Sequence, residues 1–412
     1  MRVRGSCKRG GFGVGKGIRS AAWARNLRWG VKHPSPHIFE MTPESLAAWC
    51  AAEGIGGGRA FVATQILEWV YTKGVIEPEK MSNLSKIDRE RLAAKMTFLS
   101  GSVVRHMKAS DGVQKLLVEW EEPAERGVGG DVSLPMAGGK GSGLQTECVM
   151  IPAEDRRTAC ISSQVGCPVG CRFCASGIGG LDGNLSVGRI VEQVWRLGRL
   201  EGVGRITNVV FMGMGEPLSN FSNVTGAIRI LSSLWATGIS ARKITISTVG
   251  LPQAITKLAE QFELPVTLAL SLHAPNDEIR RQLIPWAEYT TIKDLLGACQ
   301  KWFEKTGREI TLEYTLLHNV NDRPKHAKEL AGIAKTLRAN INLIRYNEVE
   351  GMPFERPRDA NVLEFQKVLR EEGVNVHIRA SRGRDIKAAC GQLRHETVKA
   401  GSGMGSGAAG GR

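Results

Sequence analysis

A chain of 412 residues with 42% hydrophobic content can bury at least one large core with smaller accessory domains beside it, which excludes disorder for most of its length. The formal charge of +14 points to a polyanionic partner, because Lys and Arg gain affinity by releasing counterions from phosphates. No stretch approaches the roughly 18 apolar residues that span a bilayer, and no continuous apolar signal-peptide core is present, so the reading is cytosolic with no membrane partner. Nine cysteines in such a chain are better read as metal ligands or redox thiols than as a disulfide framework.

Residues 1–40 hold nine Lys and Arg against one acid, Glu40, in a Gly-rich, aperiodic stretch that predicts a basic, disordered leader. Order is expected from Met41, where Thr42-Pro43-Glu44 supplies an N-cap, a first-turn proline and an acid against the helix dipole. Val62, Ile66, Leu67, Trp69 and Val70 recur near helical spacing within Arg59–Tyr71, and Leu84–Met96 supplies another amphipathic segment. Residues 41–100 thus read as a helical accessory domain. The segment 101–157 reads as a β linker, with strands at Val113–Trp120 and Glu147–Ile151 around a loop insertion at 121–146.

From Thr158 the pattern becomes short β-rich runs separated by helical lengths, the signature of βα units on a parallel sheet. The runs are Thr158–Val165, Ile206–Met214, Lys243–Val249, Leu264–Ala274, Glu309–Leu317, Ile341–Asn347 and Val374–Ala380. Val187–Leu200 and Asn361–Glu372 read as intervening helices. Seven runs fit an open α/β barrel better than a closed eightfold one, with ligand-binding residues at the C-terminal strand ends, where Ser247, His273 and Asn347 fall. Residues 394–412 read as a flexible Gly/Ser-rich tail.

Cys167-Pro-Val-Gly-Cys171-Arg-Phe-Cys174 places three thiols in one loop directly after a strand. A CxxxCxxC triplet offers three thiolates to a cubane cluster and leaves its fourth iron open for a small molecule. Structural zinc normally takes four protein ligands, and no fourth Cys or His lies at local spacing. With an aromatic before the third Cys, the motif resembles the radical S-adenosylmethionine (SAM) superfamily, in which SAM chelates the open iron. Phe211-Met-Gly-Met-Gly-Glu216-Pro217 is similar to that superfamily's GGEP-like motif. Glu216 alone would read as a solvated loop acid; its place one βα unit after the cysteine loop is what gives it meaning. Gly139-Lys140-Gly141-Ser142 looks like a phosphate loop only superficially, since Lys is not followed directly by Ser or Thr, and reads as loop.

Ser162-Ser-Gln-Val-Gly-Cys167, Ser247-Thr-Val-Gly250, Ser271-Leu-His-Ala274 and Gly383-Arg-Asp-Ile-Lys-Ala-Ala-Cys390-Gly-Gln392 narrow the likeness. From about Met41 to Leu393 the chain resembles the bacterial dual-specificity adenine-C2 methyltransferases of 23S rRNA and tRNA. The resemblance implies a partial (β/α)6-type radical SAM barrel over 158–393, one 4Fe–4S cluster on Cys167, Cys171 and Cys174, and two SAM molecules per turnover. It places SAM contacts at Gly215, Glu216, Ser247, Ser271, Leu272, His273 and Asn347. Adenine C2 is not nucleophilic, and a carbon radical avoids that limit. By resemblance, Cys390 is methylated and then loses a hydrogen atom, its carbon adds to C2, and Cys160 resolves the protein–RNA bond by forming a disulfide with Cys390. Glu147 matches the proton acceptor. An electron donor such as a flavodoxin or ferredoxin, and a thiol reductant, are implied partners. Cys7, Cys50, Cys148 and Cys299 gain no role.

Three features depart from the family pattern: the leader, the insertion at 121–146, and Asp182-Gly183-Asn184 where an Arg commonly precedes Asn-Leu. Two rival readings stay open, a C8-methylating relative that shares the cysteines and a catalytically inactive RNA-binding or iron–sulfur protein. The helical segment 41–100 favours C2, and retention of Cys160, Cys390 and Glu147 favours catalysis.

Overall fold

A computed structural model of the chain describes residues 35–121 and 144–394. The Gly139–Ser142 stretch, most of the 121–146 insertion and nearly all of the leader lie outside the described residues.

Four residues assigned by sequence to the leader are part of the folded body. His37, Ile38 and Phe39 are wholly buried, and Glu40 accepts a hydrogen bond from the Gly188 amide at 3.0 Å. Composition pointed the other way because the basic, Gly-rich stretch runs up to this anchor without a break. Helix α1 (Pro43–Ala52) begins with a capping box in which the Thr42 and Ser45 side chains each accept from the other's amide. Helix α2 (Phe61–Leu67) widens into a π-turn over Glu68–Lys73, and α3 (Lys86–Lys95) follows. The Trp195 indole and the Arg199 guanidinium donate to the carbonyls of Val70 and Tyr71, tying the widened turn to the neighbouring α/β body.

Strands β1 (Gly101–Lys108), β2 (Gln114–Trp120), β3 (Gln145–Pro152) and β4 (Arg157–Cys160) pair antiparallel in sequence order. The sheet then continues in parallel through β7 (Asn208–Phe211), β8 (Ile244–Thr248), β9 (Thr267–Ser271), β10 (Ile310–Leu316), β11 (Ala339–Arg345) and β12 (Val376–Arg379). Helices α4 (Val187–Gly198), α5 (Phe221–Ser232), α6 (Pro252–Gln261), α8 (Ile292–Thr306), α9 (Pro324–Lys335) and α10 (Asp359–Glu371) make the six crossovers, and the short α7 (Asp277–Leu283) precedes α8. Among the described residues β4 and β12 do not pair, so the seven parallel strands form an open barrel. The main apolar core lies between these strands and the helices, with Phe211, Ile246, Leu270, Leu312 and Leu343 pointing outward into it.

The run Thr158–Val165 is two strands rather than one. β4 stops at Cys160, and β5 (Gln164–Gly166) turns away to pair with β6 (Leu181–Asn184). Ser163 causes the break: its amide donates to the Met214 carbonyl and its carbonyl accepts from Leu185, so its backbone bonds leave the main sheet.

Candidate active site

The cysteine loop leaves β5 through Gly166, whose φ of +75° no β-carbon would tolerate, since one would stand 2.0 Å from the Gly180 carbonyl oxygen. Cys167 donates to that same carbonyl at 2.8 Å, and Cys174 donates to the Cys171 carbonyl at 3.2 Å. The three half-buried thiols pack beside Val169, Phe173, Val249 and Tyr346. Burial pushes Cys167 up to about 12 and holds Cys171 and Cys174 above the ordinary thiol range. A thiol so shifted is protonated in the metal-free protein and gives up its proton when it binds a cationic centre. No group of three or more His, Cys, Asp or Glu among the described residues converges on one ion position. Thiolates that bind separate corners of a cubane have no need to, so the donor set fits a cluster better than a single ion.

The same thiols line a cavity of about 160 Å³ shared with Gly215, Glu216, Ser247, Ser271, His273, Asn347 and Cys390. Gly215 sits at φ +102°, and a β-carbon there would approach Gln164 and Ser163 to 2.7 Å. Gln164 accepts from the Glu216 amide at 2.8 Å, while the Glu216 carboxylate accepts from the amides of Val249 (2.8 Å) and Leu218 (3.0 Å). Burial raises its pKa despite those bonds. The Ser247 and Ser271 hydroxyls are 3.2 Å apart. His273 takes the left-handed φ of 57°, and its Nδ1 accepts from the Thr315 amide at 3.1 Å. An amide can only donate, so the neutral ring carries its proton on Nε2; desolvation, with Arg280 nearby, lowers the pKa to about 3 and keeps it neutral. Leu272 differs from its neighbours: its side chain is fully buried in the apolar core, so it can offer a ligand only backbone groups.

Cys390 borders two spaces. Besides the thiol-lined cavity it lines a second one, of about 680 Å³, which also holds Cys160, Met212 and Arg379. Asn347 donates to the Cys390 carbonyl at 3.1 Å, fixing that loop at the cavity rim. Cys160 is 6% exposed, and burial pushes its thiol up to about 12; Arg379 opposes that shift. Both are free thiols here. Glu147 is not in either cavity. It lines a neighbouring one of about 340 Å³, where its carboxylate meets Lys115 at 2.6 Å and accepts from the Arg394 amide at 2.8 Å.

Sequence reading missed Arg379, Glu313 and Arg280. Glu313 accepts from Arg379 (3.2 Å) and Asn342 (2.9 Å) inside the barrel, and wholly buried Arg280 donates to the Val249 carbonyl behind the cysteine loop. A signal existed for two of them: Glu313 and Arg379 alternate with apolar residues in strands flanked by buried helices, where a charge must face the barrel interior.

Comparison with known proteins agrees with this geometry. Residues 161–331 match the radical SAM superfamily, and residues 37–98 match the ribosomal RNA large subunit methyltransferase N-terminal domain. A probable dual-specificity RNA methyltransferase RlmN of Gloeobacter violaceus is 41% identical over 362 residues, 88% of this chain and 96% of that protein. One from Thermosynechococcus vestitus is 43% identical over 87% of this chain and 98% of its own length. The crystal structure of a radical SAM methyltransferase from Sphaerobacter thermophilus superposes with a TM-score of 0.79 at 37% identity, covering 87% of this chain and 99% of that one. An open parallel barrel with a cysteine triplet at its C-terminal rim defines a radical SAM enzyme, and the family implies a 4Fe–4S cluster and SAM. Within that superfamily the chain belongs to the RlmN family of dual-specificity RNA methyltransferases. No helix among the described residues is long and apolar enough to cross a membrane.

Proposed function

We propose that the chain methylates C2 of adenine in 23S rRNA and tRNA, with Cys390 as methyl carrier and Cys160 as resolving thiol. The observation that carries this reading is the position of Cys390, which borders the thiol-lined cavity on one side and the Cys160 cavity on the other. A sulfur so placed can take a methyl group from one space and deliver it in the next.

Cys167, Cys171 and Cys174 would hold the cluster, which supplies the electron that turns bound SAM into a hydrogen-abstracting radical. Gly215 and Glu216 close one side of the SAM space, Ser247, Ser271 and Asn347 offer polar groups around it, and His273 offers an Nε2–H donor. The methylated Cys390 sulfur would lose a hydrogen atom from its methyl group to the SAM-derived radical, the resulting carbon radical would add to C2, and the adduct would then give up the C2 proton and one electron, for which the oxidised cluster would be the acceptor. Cys160 then gives up its proton beside Arg379 and attacks the Cys390 sulfur; the carbon–sulfur bond breaks, the carbon leaves with the bonding pair and takes up a proton to become the methyl group, and a disulfide is left for a thiol reductant to reopen. For Glu147 to accept the C2 proton, the adenine has to approach a carboxylate whose two oxygens already meet the Lys115 ammonium and the Arg394 amide, through a lone pair that these leave open. A flavodoxin or ferredoxin would feed the cluster.

The test is mass spectrometry of nucleosides from rRNA and tRNA treated with the reconstituted enzyme. 2-Methyladenosine is expected; 8-methyladenosine, or no product, would overturn the assignment. Two variants check the order of bonds. Cys390→Ala should retain its cluster yet transfer no methyl group, whereas Cys160→Ala should load the methyl, add to adenine and stall as a ribonuclease-sensitive protein–RNA band. The double variant should show no band. Normal turnover by Cys160→Ala would end the covalent scheme.

A further inference from the structure

The inside of the barrel is hollow, and its lining is unlike that of a filled one. Barrel interiors are ordinarily packed by layers of Val, Ile and Leu. Here the lower layer, near the N-terminal ends of the strands, presents Thr158, Asn208, Thr245, Thr267, Thr311 and Asn342, and these short polar side chains leave the cavity of about 680 Å³. Its upper end is Cys160, Cys390 and Arg379. Its lower end is rimmed by exposed Arg156, which just precedes β4, and exposed Arg242 and Lys243, which just precede β8. The remaining titratable groups on its wall are His377, Arg382 and one carboxylate, Glu313, which already accepts from Arg379 and Asn342. The space is therefore strongly cationic, and a cavity of this size suits a small molecule rather than a folded chain.

Cys160 does not line the thiol-rich SAM cavity; it lines only the hollow interior. On the catalytic reading proposed above, each turnover leaves a Cys160–Cys390 disulfide that must be reopened. We infer that the barrel interior is a reductant channel, through which a small anionic thiol enters past Arg156, Arg242 and Lys243 and attacks the Cys160 sulfur. The bond between Cys160 and Cys390 breaks, Cys390 leaves as a thiolate beside the Arg379 guanidinium and takes up a proton, and Cys160 is left in a mixed disulfide with the reductant. A second molecule of the thiol attacks the reductant sulfur of that mixed disulfide and frees Cys160. Two thiols are oxidised to one disulfide and the protein gains two electrons and two protons. This route keeps a sulfur ligand away from the pocket of Cys167, Cys171 and Cys174, where it would compete for iron.

The experiment uses full-length, cluster-loaded enzyme after a single turnover on RNA, freed of product. Reduction is followed by quenched alkylation of Cys160 and Cys390 and intact mass, with 2-mercaptoethanesulfonate, 2-mercaptoethanol and cysteamine as anionic, neutral and cationic probes. Each rate is divided by the same thiol's rate on a small disulfide in solution. The anionic thiol should lead the cationic one by about tenfold at low salt, within the range of electrostatic focusing in clefts. Arg242→Glu with Lys243→Glu, both at exposed positions, should reverse that order while leaving the first-turnover methyl transfer as in wild type. Thr245→Phe with Thr267→Phe should slow all three probes about equally. Unchanged rate ratios in the charge-reversed enzyme would overturn the channel, as would a loss of RNA affinity in place of reduction rate, which would assign the rim to substrate. Failure to find any disulfide after turnover would sink the resolving role of Cys160 and the channel with it, and so is distinguishable from a failure of the channel alone.

Discussion

His273 combines a left-handed backbone, an Nδ1 fixed by the Thr315 amide and an edge-on contact with Phe173 at 5.0 Å, all beneath the thiol-lined cavity. Because burial lowers its pKa to about 3 from an ordinary 6.5, the folded protein refuses a proton that the unfolded chain accepts. Below pH 6.5 the unfolded state therefore binds more protons, and stability falls by about 1.4 kcal/mol for each pH unit lost until the folded pKa is reached. The His273→Gln protein lacks that loss. Its urea-unfolding free energy, measured on cluster-free protein, should gain on wild type by that amount per unit between pH 6.5 and 5; a constant difference would show an imidazole in contact with water. At the cysteines the expectation is sharper, since on the proposed function three ligands would hold the cluster and leave none spare: Cys171→Ala should lose the brown cluster absorbance and SAM cleavage under dithionite while keeping its far-ultraviolet dichroism. That these side chains share one cavity was legible in part, because the cysteines stand at a telling spacing and His273 at the end of a predicted strand. Arg379 and Glu313 were harder to see, because their meaning depends on strands that meet only in the fold.

At the scale of elements, the strands that sequence reading found are those with a buried apolar outer face; in β8, buried Ile244 and Ile246 alternate with half-buried Thr245 and Ser247 that face the barrel interior. β1 escaped notice because it is an edge strand with mostly exposed side chains and a bulge between Val103 and Arg105, which together erase any alternation. The observed strands are shorter than the β-rich runs for a related reason: apolar residues persist past the last ladder bond, as at Leu272, which belongs to the core but not to β9. What holds the strand ends at the site is a buried polar clasp that no periodicity reveals. Gln193 on α4 exchanges two hydrogen bonds with the Ser162 backbone, at 2.9 and 3.0 Å, while the Ser162 hydroxyl donates to the Glu147 carbonyl and accepts from the Met214 amide. Ser162→Ala would strand the last two buried groups, at about 1–3 kcal/mol each. The expected result is a fall in urea midpoint together with a rise in the apparent KM for SAM, since Met214 leads into Gly215 and Glu216. Lost stability with an unchanged KM would mean that the clasp serves the fold alone.

For the whole molecule, the question is how the charge of +14 is divided between binding RNA and holding a target base still. Nine of the 55 Lys and Arg precede residue 35, whereas His37, Ile38 and Phe39 belong to the folded body, so the useful cut lies between these sets rather than after Glu40. Buried Ile38 and Phe39 each contribute about 1.5–3 kcal/mol, and Glu192 gathers His37 (3.3 Å), Ser100 (2.9 Å) and Arg196 (2.8 Å) around one carboxylate, so removing residues 1–40 should unsettle the entire N-terminal body. Removing residues 1–34 takes the nine Lys and Arg and leaves this buried set in place. On the proposed function, the adenine must leave its stack to reach Cys390, so folded RNA should turn over and free adenosine should not. RNA affinity should fall linearly on a log–log plot as salt rises, with a slope of about −0.7 per phosphate contacted on single-stranded RNA. The chain lacking residues 1–34 should show a shallower slope, weaker binding below 100 mM salt and the same 2-methyladenosine product. A slope equal to that of the full chain would locate every phosphate contact on the folded body. A changed product would show that the leader positions the base, which charge alone cannot do.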